Sequence, residues 1–528
     1  MKRRSLLSAA VATAAARPAL AQPALGGRAK TLVFVPQGNL VTMDPVWTTA
    51  AVTRCAGLMV FETLYGRDAN LQPHPQMVEG HVIEDDGKRW VMTLREGLSW
   101  HDGERVTARD CVASLNRWMK RDPIGTFLMG RMDSLEADGD RKIVWRLKKP
   151  FAGLANALAK TQPSPVMMPE RLANTDPFKQ IPEVVGSGPF RWVQAEYNSG
   201  NRAVFVKNDK YVPRGEAADY ASGGYRVHVD RVEWKIIPDA ATAANALVTG
   251  EVDWVEMPLP DLLPLLRKAK DVKVGQLDPY GIYPALRPNF MHPPLDNPAI
   301  RRAILAAVDQ VEVMTGLMGD DTEAYRAPVG YFIPGSEAAS EVGMEAVRTR
   351  RSPDEVKKML AEAGYRGEKL VVMHPTDQPF YDAITSVYVS QLRKAGLNID
   401  EQSMDWGTIV QRRNSKEPLE KGGWSLFMSG FPAVDQGNPI LASPLRTNGD
   451  KAWYGWPVNA KIERLREQWI DATDPAEQKR IAEEIQREAF SFVPYAPLGQ
   501  YLQAMAWRSN LSGLLRGPVP VFWNVQKA

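Results

Sequence analysis

A repeated joint in the second half of the chain limits the fold more than any other feature: a capped helix, a glycine that stops it, and an apolar strand directly afterwards. Ser352-Pro353-Asp354-Glu355 combines a capping box with proline at the first helical position, Gly364 ends the predicted helix, and residues 370–373 follow as a strand. The pattern recurs as a helix around 381–395, a stop at Gly396, a strand around 397–402, a helix from about Gly407 and an apolar run at 424–428. Earlier, Asp239 caps a predicted helix over 240–249, Gly250 ends it, and residues 252–255 resume as a strand. Strands alternating with helices in this way predict an α/β protein with a mostly parallel sheet covered by helices. Residues 460–492 read as two helices, because Asp474-Pro475 ends one and starts the next. At 528 residues the chain exceeds what one hydrophobic core holds, so two lobes or more are expected.

The first residues, MKRRSLLSAAVATAAARPALA, have a basic start (Lys2, Arg3, Arg4), a short alanine-rich stretch and Ala19-Leu20-Ala21 as a small-x-small cleavage site. Residues 1–21 therefore read as an export signal cleaved near Ala21, and Arg3-Arg4 suits both the twin-arginine and the general route. The stretch is too short to span about 30 Å of hydrocarbon, and no later run reaches the roughly 18 apolar residues of a spanning helix. Periplasmic localisation is the expectation. Removing these residues, with their four basic and no acidic side chains, takes Lys+Arg from 65 to 61 against 62 Asp+Glu. A near-neutral mature chain carries no nucleic-acid footprint. Cys55 and Cys111 both sit in helix-like apolar contexts that suit buried free thiols, although an oxidising compartment would allow a bridge.

Catalytic signatures are missing from the sequence. It has no G-x-S-x-G elbow, H-E-x-x-H, phosphate-binding loop, G-x-G-x-x-G or paired C-x-x-C, and its six histidines are scattered. No metal or cofactor is expected, and acidic pairs such as Asp320-Asp321 read as solvated turns. Two distant carboxylates could still serve a glycosidase, so a secreted hydrolase stays as the rival class. The aromatic content points to binding: Trp406, Trp424, Trp453, Trp456 and Trp523 fall late in the chain, several beside Gly or Pro, as in WYGWP.

One stretch resembles a reactive centre at first sight. In LREGLSWHDGERVTARDCVASLNRW, residues 94–118, His101 stands beside Asp102 on a turn, and Thr107 with Asp110 forms a capping box for a helix over 108–120. This stretch resembles the signature of the extracytoplasmic solute-binding proteins that serve peptide, nickel and related ABC importers (family 5), which makes His101 and Asp102 a structural turn. Further blocks resemble that family in order: Met43-Asp44-Pro45, Gly186-Ser187-Gly188-Pro189-Phe190, IPDAATAANALVTGEVDWVE, PPLDNPAIRRAILAAVDQ and DPAEQKRIAEEIQREAFSFVPYAPLG. The resemblance implies a two-lobed periplasmic binding protein fold (type II, cluster C) with an extra subdomain in lobe one. Mapped on this chain, lobe one is 30–60, 187–280 and 500–528, the extra subdomain 61–186, and lobe two 281–499. It also implies a monomer that closes over a ligand and docks on ABC permease subunits.

For the ligand, the resemblance implies a small peptide or peptide-like amine, with an opine, an oligosaccharide or another small solute as alternatives. Peptide binders of the family carry a Gly-Trp-x-x-Asp loop whose Asp pairs with the peptide ammonium; here Gly430-Phe431 is followed by Asp435, one residue later. Asp435 is either a ligand contact or a turn residue. If it faces a closed cleft, the ligand must be cationic there or bring hydrogen-bond donors, because a buried uncompensated carboxylate is costly. Trp406 matches a ligand-facing Trp and Arg413 the basic position of the same block, while Met428 stands where an oligopeptide binder places an Arg. The expected ligand-binding set is Trp406, Arg413, Phe431, Asp435, Trp453 and Trp456 from lobe two, with Trp47, Thr48 and Gly188 from lobe one.

Overall fold

The computed structural model describes residues 30–160 and 164–528, so the export signal expected at 1–21 lies outside the described residues. Two seven-stranded sheets organise the molecule. The first runs in the order Val272–Gly275, Met505–Arg508, Trp254–Val255, Thr31–Val35, Arg231–Lys235, Arg202–Lys207 and Phe190–Trp192. The second runs Tyr325–Arg326, Gln500–Tyr501, Ile282–Pro288, Leu426–Pro432, Lys369–Pro375 and Asn398–Met404, with Ala496–Pro497 also paired to Ile282–Pro288. A third, four-stranded sheet lies wholly within 78–147, in the order Val78–Glu84, Arg89–Leu94, Lys142–Leu147 and Met132–Asp138.

The expectation of a mostly parallel sheet needs correction. Thr31–Val35 is parallel to both of its neighbours and Lys369–Pro375 to both of its own, but every other pairing in the two large sheets is antiparallel. The helix–strand joints build the parallel part, at the centre of the first sheet and at one side of the second, where Asn398–Met404 is the edge strand; the chain returning through 496–508 adds antiparallel strands to both.

Local signals held where helices begin. Thr107 and Asp110 form the capping box of Ala108–Met119, Ser352 and Glu355 that of Pro353–Glu362, and Asp474 caps Pro475–Phe492. Gly250, Gly364 and Gly396 adopt φ of 76°, 86° and 88°, the left-handed region that ends a helix without a Cβ penalty. The helix Pro475–Phe492 buries Ile481, Ile485, Ala489 and Phe490 at helical spacing against the second sheet, and each large side chain so buried contributes roughly 1.5–3 kcal/mol.

The chain crosses between the two large sheets at 276–281 and again at 502–504, and the crossings are tied together. Gln500, 1% exposed, donates through Nε2 to the carbonyl of Tyr280 at 2.7 Å. Gly281 has φ 70°, and a Cβ there would sit 2.0 Å from the carbonyl oxygen of Tyr501. Asp278 accepts from the amide of Tyr280 at 2.9 Å, and burial pushes its carboxyl up to about 6. Cys55 and Cys111 are both buried free thiols.

His101 is part of a fold joint. Gly103 donates to the Trp100 carbonyl to close the turn, the His101 amide donates to Gly186, and His101 Nε2 donates to the Gly188 carbonyl at 3.0 Å. Burial lowers the imidazole from 6.5 to about 4, with Arg191 adding to the effect and the Gly188 and Asp102 contacts opposing it. The unfolded chain therefore takes up a proton near pH 6.5 that the folded one refuses until about 4, so this stability is full above pH 6.5 and declines as the pH falls to 4. Urea unfolding of wild type and His101→Gln is expected to show the wild-type advantage shrinking by up to about 3 kcal/mol between pH 7 and 4. A pH-independent difference would sink this assignment.

Candidate functional site

The C-terminal ends of Lys369–Pro375 and Leu426–Pro432, the parallel pair at the middle of the second sheet, gather a box of aromatic rings around one guanidinium. Such strand ends are where open α/β sheets place ligands. Trp406 opens the helix Trp406–Arg412: its amide donates to Asp377 Oδ1 at 2.7 Å, just past the strand, and Asp405 caps the helix by accepting from Thr408. Arg413 follows at the helix end, 8% exposed. Its guanidinium carbon lies 4.3 Å from the ring centre of Tyr454 and 5.9 Å from those of Trp406 and Trp453. Burial lowers its proton affinity, the Tyr454 hydroxyl opposes that, and Nε has no hydrogen-bond partner among the described residues.

The rings support one another edge to face. Tyr381 meets Trp406 at 5.1 Å, and Phe431 meets Trp453 at 5.0 Å. Phe427 lies 5.3 Å from Trp453, and the Arg287 guanidinium sits 5.1 Å over the same indole. Trp406, Tyr381, Phe431, Trp453 and Tyr454 all keep part of their surface exposed, so the box offers apolar faces to whatever enters. Stacked rings with a cation among them suit a ligand that has an apolar body and an anionic end.

Asp435 lies beyond Phe431 in the short helix 433–436, where the Ala433 amide bonds to Gly281 at the crossing. It is 7% exposed and its Oδ1 has no hydrogen-bond partner among the described residues. Burial raises its carboxyl, and Lys160, Arg67 and Arg54 oppose that rise from the far side of the cleft. Lobe two reaches across here: Leu441 belongs to the core of the first sheet and subdomain, and Arg446 donates to the Pro123 carbonyl at 3.2 Å.

Four of the residues expected from sequence, Trp406, Arg413, Phe431 and Trp453, thus form one site. Trp456 packs against the same apolar cluster as Trp406, Trp453 and Tyr454, 6.2 Å from Trp424, with Lys416 at 5.2 Å. Trp47 donates to the Phe178 carbonyl, Thr48 accepts from the Ala50 amide, and both stay on the lobe-one loop 44–50. Gly188 is a packing position, since a Cβ there would lie 2.7 Å from the Met59 and Val60 carbonyls. Tyr381, Tyr454, Lys160 and Arg67 were not expected; only Tyr454, inside WYGWP, lay in a stretch that drew attention.

The model of the bacterial extracellular solute-binding proteins, family 5, matches residues 72–453. The chain belongs to this family. A probable peptide ABC transporter periplasmic-binding protein, y4tO of Sinorhizobium fredii, is 35% identical over the whole of both chains. Among solved structures, AgaA of A. tumefaciens R10, determined with agropinic acid, superposes with a TM-score of 0.79 at 21% identity, over 94% of this chain and 99% of that one. A dipeptide-binding protein of Pseudoalteromonas sp. SM9913, determined with Met-Leu, gives 0.78 at 19% identity over 94% and 100%. The fold is the two-lobed one of these family 5 proteins.

The geometry of the aromatic box depends on Gly430. A Cβ there would lie 2.7 Å from the Tyr381 hydroxyl and 2.9 Å from Ile282. Gly430→Ala is expected to lose about 1–3 kcal/mol in urea unfolding and to shift tryptophan fluorescence as Tyr381 leaves Trp406. Adding Tyr381→Phe should recover part of the loss by removing the clashing oxygen; no recovery would mean that Ile282 sets the limit.

Proposed function

We propose that this protein is the periplasmic substrate-binding component of an ABC importer, holding a small peptide or peptide-like solute between its lobes and delivering it unchanged to permease subunits. The supporting observation is Arg413, a buried guanidinium with no carboxylate partner among the described residues, set in a partly exposed aromatic box. A ligand carboxylate completes such a group, and the rings take the adjoining apolar part. The named relative is a peptide transporter component and one structural neighbour holds a dipeptide, in line with this reading. The neighbour holding agropinic acid favours an opine as the second reading.

In this proposal residues 1–21 direct export to the periplasm, and the lobes divide at 30–60, 187–280 and 500–528 for the first, 61–186 for its subdomain and 281–499 for the second. Function is binding without chemistry. The expected result of native mass spectrometry on the purified mature protein is a retained small molecule that bears a carboxylate and is released intact by denaturation. Arg413→Ala should weaken its binding by about 2–5 kcal/mol in calorimetry, as loss of one partner of a buried charge pair does. A retained molecule with no anionic group, or an unchanged affinity, would overturn the role of Arg413, and a converted product would favour a hydrolase.

A further inference from the structure

The family 5 reading leaves open what meets Asp435, and the charges of lobe one bear on this. Lys160 and Asp122 form a buried ion pair at 2.7 Å, their side chains 5% and 0% exposed. Asp122 also caps the helix Pro123–Arg131 through the amides of Ile124 and Gly125, which fixes the pair to the subdomain. The neighbouring Pro123 carbonyl is the one that Arg446 of lobe two reaches, so the pair lies where the second lobe arrives. Arg67, 3% exposed at the end of the strand Tyr65–Arg67, contacts only a carbonyl, that of Asn156, and Nε has no partner among the described residues. The strongest charge acting on Arg67 is Asp435, and the strongest acting on Asp435 are Lys160 and Arg67.

Three cations, Lys160, Arg67 and Arg54, therefore act on Asp435, with Lys160 paired to Asp122 and Arg54 shared with Glu256 and Asp278. A ligand ammonium at Asp435 would add a further cation beside a carboxylate on which three already act, and an uncompensated buried charge is expensive. Asp435 Oδ1 is nonetheless without a hydrogen bond, and an unsatisfied buried acceptor is costly too. A neutral donor meets both conditions. We infer that Lys160 and Arg67 already supply the positive charge for Asp435, so that the ligand presents an uncharged N–H or O–H to it and not a primary ammonium. Resting on the carboxylate role of Arg413 proposed above, this narrows the ligand to anionic, peptide-like solutes whose amino group is acylated or otherwise uncharged.

The test offers the ligand-free mature protein an equimolar mixture of dipeptides and their N-acetyl forms, and reads the captured fraction by mass spectrometry. Wild type is expected to hold the acetylated forms in at least about tenfold excess, and Lys160→Met to bring the free-amine forms level or ahead. An excess of free-amine forms on wild type that Lys160→Met leaves unchanged would overturn the inference. Capture of neither set would reject the peptide reading of the previous section, and the charge assignment is then judged without ligand. Thermal unfolding of Asp435→Asn, Lys160→Met and the double variant should show the double losing less than the sum of the singles, by about 1 °C or more. Strict additivity overturns it. Lys160→Arg should behave as wild type in both assays, and Arg67→Gln carries the same cycle if Lys160→Met does not fold.

Discussion

The arrangement of the whole cleft depends on one buried ion pair. Asp44 and Arg117, each with a side chain 1% exposed, form a two-pronged bridge at 3.0 and 2.7 Å. Asp44 also accepts from the amides of Val46, Trp47 and Ile181, and Arg117 donates to the carbonyls of Thr175 and Lys179. The pair thereby ties three segments together: the loop after the first strand, the helix Ala108–Met119 and the 175–181 loop. Breaking such a pair by removing one partner costs about 3–5 kcal/mol, because the other charge is left buried. The subdomain is held to the first sheet by this bridge and a shared core, and Lys160, Asp122 and Arg67 face lobe two from the position it sets.

A second constraint lies at the crossings. The Gln500 to Tyr280 bond and the close approach of Gly281 to Tyr501 make the two connecting segments one unit, so a change in lobe angle must be absorbed by both together. Asp435 is only one short helix from that unit, through the Ala433 to Gly281 bond. The carboxylate facing the lobe-one cations is therefore coupled to the hinge by backbone, and a ligand that satisfies Asp435 acts close to the axis of motion.

Much of this was legible in sequence wherever the cause is local. Caps, glycine stops and the Asp474-Pro475 break depend on a few adjacent residues, and all of these formed as expected. Sheet direction depends on distant pairing, so the antiparallel outer strands could not be read from helix–strand joints. Within the cluster, Trp406, Arg413 and Phe431 were visible because each sits in a block that resembles a known family, and Trp453 because it lies in the aromatic stretch WYGWP. Trp453 and Trp456 of WYGWP share one apolar cluster, and the reversal at Gly455 (φ 91°) and Trp456 (φ 52°) sets Trp456 beside Trp424 and Lys416 while Trp453 meets Phe431. Lys160 and Arg67 carry no sequence signal of any link to Asp435, since the fold alone brings these distant positions of the chain toward one another.

The contacts that lobe two makes with the subdomain explain why a ligand can control closure. Leu441 is buried in the opposite core, Arg446 bonds to one carbonyl, and Arg131 pairs with Asp471 at the surface. Burial of one leucine contributes about 1.5–3 kcal/mol and an exposed ion pair about 0–1 kcal/mol. Against these stands the cost of desolvating Asp435, Arg67 and Arg413, each left with an unpartnered atom when the lobes meet. These terms oppose one another, so partners for the unsatisfied atoms would favour the arrangement in which the lobes meet. In the proposed function, a ligand that donates to Asp435 and gives a carboxylate to Arg413 would remove the opposing cost, and its differential affinity for the closed form would set the population. On that proposal, the unsatisfied atoms of the cleft would make closure conditional on the right ligand.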